Sequence, residues 1–203
     1  MQVLVIVAHP DPASFNHALA AAIVDEAERR GHRAILRDLY REGFDPLITA
    51  EEARGVPSRD PLVHAHIDLL RASQALVVVH PNWWGAPPAI AKGWIDRAFA
   101  LDAAYAFEKD VDQGDVPVGL LPIRAALVLN TSNTPEPRER DAFGDPLARI
   151  WRDCVLRYCG VRHVERRVFR VVATSTVAER QAWLAEARAA LAATLGAAAS
   201  GEG

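Results

Sequence analysis

Apolar and polar positions alternate along this chain in blocks of several residues. Continuous apolar runs occupy 3–8, 75–79 and 125–129, and mixed runs rich in Val, Ile, Leu or Phe occupy 33–39 and 164–172. Runs this short, bounded by turn residues, read as strands, the three most apolar of them buried on both faces. Helical spacing fills the intervals: from a Ser14 or Asn16 N-cap to Gly31, then 61–73, 88–101, 146–159 and 177–195. Pro88 suits the first turn of its helix, and Gly160 stands where a glycine closes one. Five strands alternating with five helices predict an α/β fold, a doubly wound sandwich with a five-stranded parallel sheet and helices on both faces. Two polar stretches rich in Gly and Pro, 41–60 and 102–122, interrupt the alternation and read as excursion loops. The pattern predicts one domain over 1–203, with 196–203 as a frayed tail.

A sheet of this kind collects ligands outside the carboxyl ends of its strands, where the strand order reverses. The three loops of unusual composition fall there: 9–16, 81–88 and 130–136. The middle one reads Pro81-Asn82-Trp83-Trp84-Gly85-Ala86-Pro87-Pro88. Connecting loops are ordinarily polar, so two adjacent tryptophans suggest a platform for a flat ligand. The glycine and prolines hold the backbone so that N–H groups near Trp84 and Gly85 meet that ligand's polar edge. The alternative is that Trp83 and Trp84 pack into the core or a subunit interface.

The first loop opens a helix, whose unpaired N–H groups and dipole hold a phosphate without Lys or Arg. His9, Ser14 and Asn16 would add side-chain donors; the alternative is a plain capped helix start. In the third loop Thr131, Ser132 and Asn133 would close over the far edge of a ring and stabilise negative charge developing on it, unless the loop is an ordinary turn. Catalytic residues are not identified by this reading; Trp84, Thr131 and Asn133 are the candidates. The charged run 136–141 reads as an exposed face, within which Arg138 is a candidate partner for a cofactor phosphate.

Charge narrows the partners. Lys+Arg 23 against Asp+Glu 26 leaves a net charge of −3, with no basic excess for nucleic-acid phosphates or anionic membranes. No run of about 18 apolar residues offers a membrane span, and 3–8 is too short for a signal peptide, so a cytoplasmic protein is expected. Cys154 and Cys159 lack metal-ligand spacing and read as small hydrophobes. Ala8-His9-Pro10-Asp11 resembles the start of the zinc de-N-acetylase motif, but Pro12 stands where that motif has another aspartate. His64 and His66 lie two apart on a helix and face different ways, so no metal site is expected.

Three stretches together resemble the NAD(P)H:quinone oxidoreductases, the diaphorase-type flavoproteins of flavodoxin-like fold. They are 3–16 with His9 and Ser14-Phe15-Asn16; Asp38-Leu39-Tyr40 with Phe44-Asp45-Pro46; and 81–105 with Pro88-Ala89-Ile90, Lys92-Gly93-Trp94 and Arg97. The resemblance implies that His9, Ser14, Phe15 and Asn16 hold the phosphate portion of a flavin, FAD in preference to FMN. Pro81, Asn82, Trp83, Trp84 and Gly85 would hold its ring, and Thr131, Ser132 and Asn133 would close the other edge. It also implies a homodimer in which Tyr105 and Phe107 reach a pocket across the interface. The activity implied is ping-pong reduction of a quinone-like acceptor by NAD(P)H, the hydride chemistry belonging to the cofactor. Two departures stand out. Asn130-Thr131-Ser132-Asn133 replaces the family's Thr-Thr-Gly-Gly, and Phe143 stands at the position of its relay histidine, with no tyrosine between Thr131 and Phe143. A flavin-bound accessory subunit of a potassium efflux system and an electron carrier are the rival readings.

Overall fold

Alternate residues of each central strand face opposite helical layers. Leu4 and Ile6, Leu76 and Val78, and Ala126 and Val128 enter one core; Val3, Val5 and Val7, Val77 and Val79, and Leu127 and Leu129 enter the other. This period of two, apolar at every step, is what turns these runs into strands covered on both sides. The computed structural model describes residues 1–110 and 114–200. The strands are β1 (Gln2–Val7), β2 (Arg33–Asp38), β3 (Ala75–Pro81), β4 (Tyr105–Asp110), β5 (Gly114–Gly119), β6 (Ala125–Ser132) and β7 (His163–Arg170). Five of them form a parallel sheet in the order β2-β1-β3-β6-β7. The order reverses between β1 and β3, so the crevice expected to take ligands opens past Val7 and Pro81.

The helices are α1 (Phe15–Arg29), α2 (Pro61–Ala72), α3 (Ala89–Ala98), α4 (Glu136–Arg138), α5 (Pro146–Arg149) and α6 (Val177–Ser200). α1 and α6 cover the core that holds Val5 and Val77, while α2, α3 and α5 cover the other, around the buried indoles of Trp94 and Trp151. Local chemistry sets the boundaries. Ser14 caps α1, and Asp60 caps α2 with Pro61 following it in the first turn, which satisfies N–H groups a helix start leaves open.

Five expectations change. The excursion 102–122 contains the antiparallel hairpin β4–β5. β6 runs on through Ser132, so Thr131 and Ser132 belong to a strand end and not to a loop. The run 136–141 is exposed as expected except at one position: α4 passes into π-helical turns at Glu139–Phe143, and there Glu139 is buried. The tail does not fray from Gly196, because α6 continues to Ser200 with Ala198 buried against the sheet side; residues 201–203 lie outside the described residues. The predicted helix 146–159 is α-helical only to Arg149 and π-helical over Ile150–Leu156.

The other excursion, 41–60, is pinned to α3. Gly93 lets the chain at Pro46 come so close that an added Cβ would lie 2.2 Å from the Pro46 carbonyl oxygen. One turn later on the same face, the buried Arg97 donates to the Asp45 carbonyl at 2.7 Å and to Glu52 Oε1 at 3.1 Å, and pairs with Asp60 at 3.3 Å.

Candidate active site

Two adjoining cavities open at the strand ends. One, of about 340 Å³, lies over the start of α1 and is walled by His9, Ser14, Phe15, Asn16, Trp83 and Ser132, among others. The second, of about 610 Å³, is bounded by Trp84, Gly85, Pro135, Arg138, Phe143 and Pro146. Asn82, Asn133 and Thr134 face both. All twelve residues expected from the sequence to hold a cofactor therefore line one cavity or the other.

Hydrogen bonds join the three loops into one wall. The Asn16 side-chain amide and the Thr131 hydroxyl exchange bonds, Nδ2 to Oγ1 at 3.1 Å and Oγ1 to Oδ1 at 3.2 Å. Asn82 N donates to the Thr131 carbonyl at 2.7 Å, and Val171 N to the Ser132 carbonyl at 2.7 Å. Asn133 Oδ1 accepts from Ala173 N at 2.9 Å. The segment after β7 thereby closes one side, with Val172 and Ala173 in the wall of the smaller cavity. Nothing in the local sequence marks these two residues.

Each predicted donor has a definite state. His9 Nδ1 accepts from Asp11 N at 3.1 Å, so the proton of the neutral ring sits on Nε2, a donor. The Ser14 hydroxyl accepts from His17 N and meets His17 Nδ1 at 2.9 Å, with His17 Nε2 on Asp38 at 2.9 Å. That hydroxyl is engaged by its own helix, which corrects its reading as a free donor; the N–H groups at the head of α1 remain as donors facing the cavity end of the sheet. Phe15 packs edge-on against Phe169 and beside Trp183.

The tryptophan loop is a tight turn. Trp83 and Ala86 exchange both backbone bonds, and Trp84 and Gly85 between them have φ of 58° and 74°. Consecutive positive φ angles are the geometry of a type I′ turn, which favours Asn-Gly or Asp-Gly. A tryptophan there is strained by about 1–2 kcal/mol. Its indole stands fully exposed at the rim of the larger cavity, whereas Trp83 is partly covered and lies beside His9 with ring centroids 6.1 Å apart. Gly85 N is already given to Asn82 Oδ1 at 3.0 Å, so it is not the ligand donor expected of it. Val171, a β-branched residue at φ 60°, is a second strained position beside the site.

Buried polar groups support this wall. Glu139 Oε1 accepts from Asn82 Nδ2 while Oε2 pairs with Arg170. Beneath them, His80 Nδ1 donates to the Pro81 carbonyl at 2.7 Å, and Nε2 accepts from the Trp151 indole at 2.7 Å and from Asn130 Nδ2 at 3.1 Å. Arg166 then links Asn130 Oδ1 to Asp145. Burial pushes the His80 pKa down to about 4; its bond to Pro81 opposes the shift and the Arg166 charge adds to it. The ring is therefore neutral at pH 7. Burial likewise raises the Cys159 thiol to about 12, which makes it inert packing.

Phe143 lies at the larger cavity with the Arg138 guanidinium 6.0 Å over its ring. Tyr105 and Phe107 do not reach either cavity of their own chain. They pack edge to face 5.8 Å apart, with Tyr158 5.1 Å from Tyr105. His64 and His66 diverge as their spacing requires: His66 is buried between Trp94 Nε1 and Glu42, and His64 bonds the Ser58 carbonyl at the surface. Among the described residues, no helix is long and apolar enough to cross a membrane.

Comparison with known proteins agrees with this architecture. Residues 1–195 match the family model described as flavodoxin-like fold. The chain is 27% identical over 206 residues to mouse ribosyldihydronicotinamide dehydrogenase [quinone], covering 91% of this chain and 87% of that protein. It is 30% identical over 180 residues to an NAD(P)H oxidoreductase of Haemophilus influenzae that is otherwise uncharacterised, covering 83% of each. Among solved structures it superposes on an NAD(P)H:quinone oxidoreductase from Methanothermobacter marburgensis with a TM-score of 0.81 at 24% identity, over 94% of this chain and 95% of that one, a likeness of fold. The chain belongs to the flavodoxin-like family that includes the NAD(P)H:quinone oxidoreductases.

Proposed function

We propose that this protein is a flavin-dependent NAD(P)H oxidoreductase that reduces quinones or similar flat two-electron acceptors. The observation that carries the reading is the pair of adjoining cavities at the strand-order reversal, a helix start below one and a mostly apolar wall at the other. The donor set fits a flavin. The head of α1 and His9 Nε2 suit its phosphate, Trp83 and Trp84 suit its ring, and Thr131, Ser132 and Asn133 suit a ring edge that gains negative charge. When bound, the flavin supplies the two-electron chemistry; the chain binds it, orients it and excludes water around it. Relatives named as NAD(P)H and ribosyldihydronicotinamide dehydrogenases support the donor and the acceptor class.

Finer points belong to the same proposal. One large cavity beside the ring site, bounded by Phe143 and Arg138, suits donor and acceptor in turn, as a ping-pong cycle requires. FAD, favoured on the His9 and Ser14-Phe15-Asn16 likeness, draws no separate support from the cavities, so FMN stands beside it. The exposed apolar side chains of Leu101, Phe107, Leu120 and Tyr158 around the hairpin suit a homodimer contact that would carry Tyr105 and Phe107 toward a partner. Sedimentation tests that contact, and cell fractionation tests a cytoplasmic location.

The purified protein is expected to be yellow and to oxidise NADH or NADPH in the presence of a naphthoquinone. Chromatography of the released flavin separates FAD from FMN. A colourless protein that takes up neither defeats the proposal, and a yellow protein without turnover favours an accessory role. Trp84→Ala is expected to weaken flavin retention about tenfold, the scale of one lost aromatic contact. Its far-UV circular dichroism should not change, because the indole is exposed and alanine carries the same Cβ at the same positive φ. Unchanged retention would remove Trp84 from the site.

A further inference from the structure

We infer that Glu139 is a positioning residue, one that fixes the orientation of the Asn82 side-chain amide at the junction of the two cavities. The inference rests on the flavin reading above. Glu139 lies on the π-helical turn Glu139–Phe143 with its carboxylate 2% exposed. A buried carboxylate is costly without partners, and both oxygens have one: Arg170 from the end of β7 and Asn82 Nδ2 from the end of β3. The other end of the Asn82 amide, Oδ1, accepts from Gly85 N. An asparagine amide that donates at one end and accepts at the other has a single orientation.

That orientation has a consequence for a ligand. Nδ2 carries two hydrogens, and Glu139 takes one. Asn82 faces both cavities, so the second hydrogen is the donor offered to a ring edge that spans the junction. Without Glu139 the amide is free to flip and to present its carbonyl oxygen there, and the Gly85 N–H loses its acceptor. Stability alone does not account for the arrangement, because a buried ion pair is often neutral beside an apolar replacement.

The test is a flavin titration of the deflavinated protein with FMN and with FAD, read by fluorescence, on wild type, E139A, E139Q, N82A, E139A/N82A and E139Q/N82A. E139A and N82A are each expected to raise the dissociation constant about tenfold, the scale of one lost hydrogen bond to an aligned donor. A residue that acts through another gives losses that do not add, so E139A/N82A should bind no more weakly than the weaker single variant. E139Q keeps one acceptor oxygen for Asn82, its amide nitrogen turned to Arg170 at a cost in stability but not in the Asn82 orientation. It should stay within about threefold of wild type, where a role in the fold through the Arg170 charge would make it as weak as E139A. If E139A does not fold, E139Q and N82A decide: E139Q/N82A should match N82A. Additive losses, an unchanged E139A, an E139Q as weak as E139A, or an E139Q/N82A weaker than N82A each overturn the inference while the flavin reading stands. A wild type that takes up neither flavin overturns both.

Discussion

Replacing Arg97 by methionine is expected to cost about 3–5 kcal/mol of stability, the usual loss when one partner of a buried ion pair is removed. The side chain is 4% exposed and Glu52 9%, so the carboxylate would be left without the charge that offsets its burial. Burial alone would push the Glu52 pKa up. Hydrogen bonds from Ser58, from the backbone and hydroxyl of Thr49 and from Arg97 more than reverse this, to about 2. The same guanidinium also holds the Asp45 carbonyl and Asp60, so one substitution releases both ends of the 41–60 excursion. The other anchors lie at the start of the segment, with Phe44 in the core, Glu42 on His66 and Pro46 against Gly93; beyond them it contains a single short helical turn at Glu52–Arg54 and leaves Leu47, Ile48 and Val56 exposed. The urea midpoint should fall with little change in slope, and limited proteolysis should cut first within 41–60. A loss below about 1 kcal/mol, the range of a surface pair, would show that Arg97 does not tether the loop.

What the sequence made legible follows from the range of the forces involved. β3 and β6 announce themselves because strands covered on both faces are apolar at every position, and α1 because its cap and its buried row Leu19, Ile23 and Ala27 are local. The end of the sheet at which the two cavities open was equally legible, since the alternation of elements and the loop composition suffice to choose it. The hairpin β4–β5 was not: Tyr105-Ala106-Phe107 alternates, but its partner Val116-Pro117-Val118 carries a proline and the connecting residues lack an Asn-Gly signal. Glu139 read as surface because its burial depends on Arg170 and Asn82, 31 and 57 residues away in the chain. The strained φ of Trp84 also has no sequence signature, as tryptophan is a poor residue for that turn position. The π-helical turns at Ile150–Leu156 share the apolar spacing of an α-helix too closely for periodicity to separate them.

Stability is expected to fall by about 3 kcal/mol as the pH is lowered from about 6.5 to about 4, through His80. Burial of the neutral imidazole depresses its pKa to about 4 in the fold, against an ordinary value near 6.5 in the unfolded chain. The contribution is thus complete above pH 6.5, where both states are neutral. Between the two values the unfolded chain binds the extra proton, and the folded state loses about 1.4 kcal/mol per pH unit. Below about 4 the folded ring protonates as well, and its Nε2 can no longer accept from Trp151 and Asn130. The contacts that fail there hold Pro81 and Asn130 at the strand ends beneath the cavities, so flavin release should accompany the transition. His80→Gln keeps a polar side chain and removes the titration; it should lower stability at neutral pH and flatten the profile between pH 6.5 and 4. The measurement is the urea midpoint of both proteins across that range. Parallel profiles for wild type and variant would assign the acid sensitivity to other groups and leave His80 a purely structural member of the core.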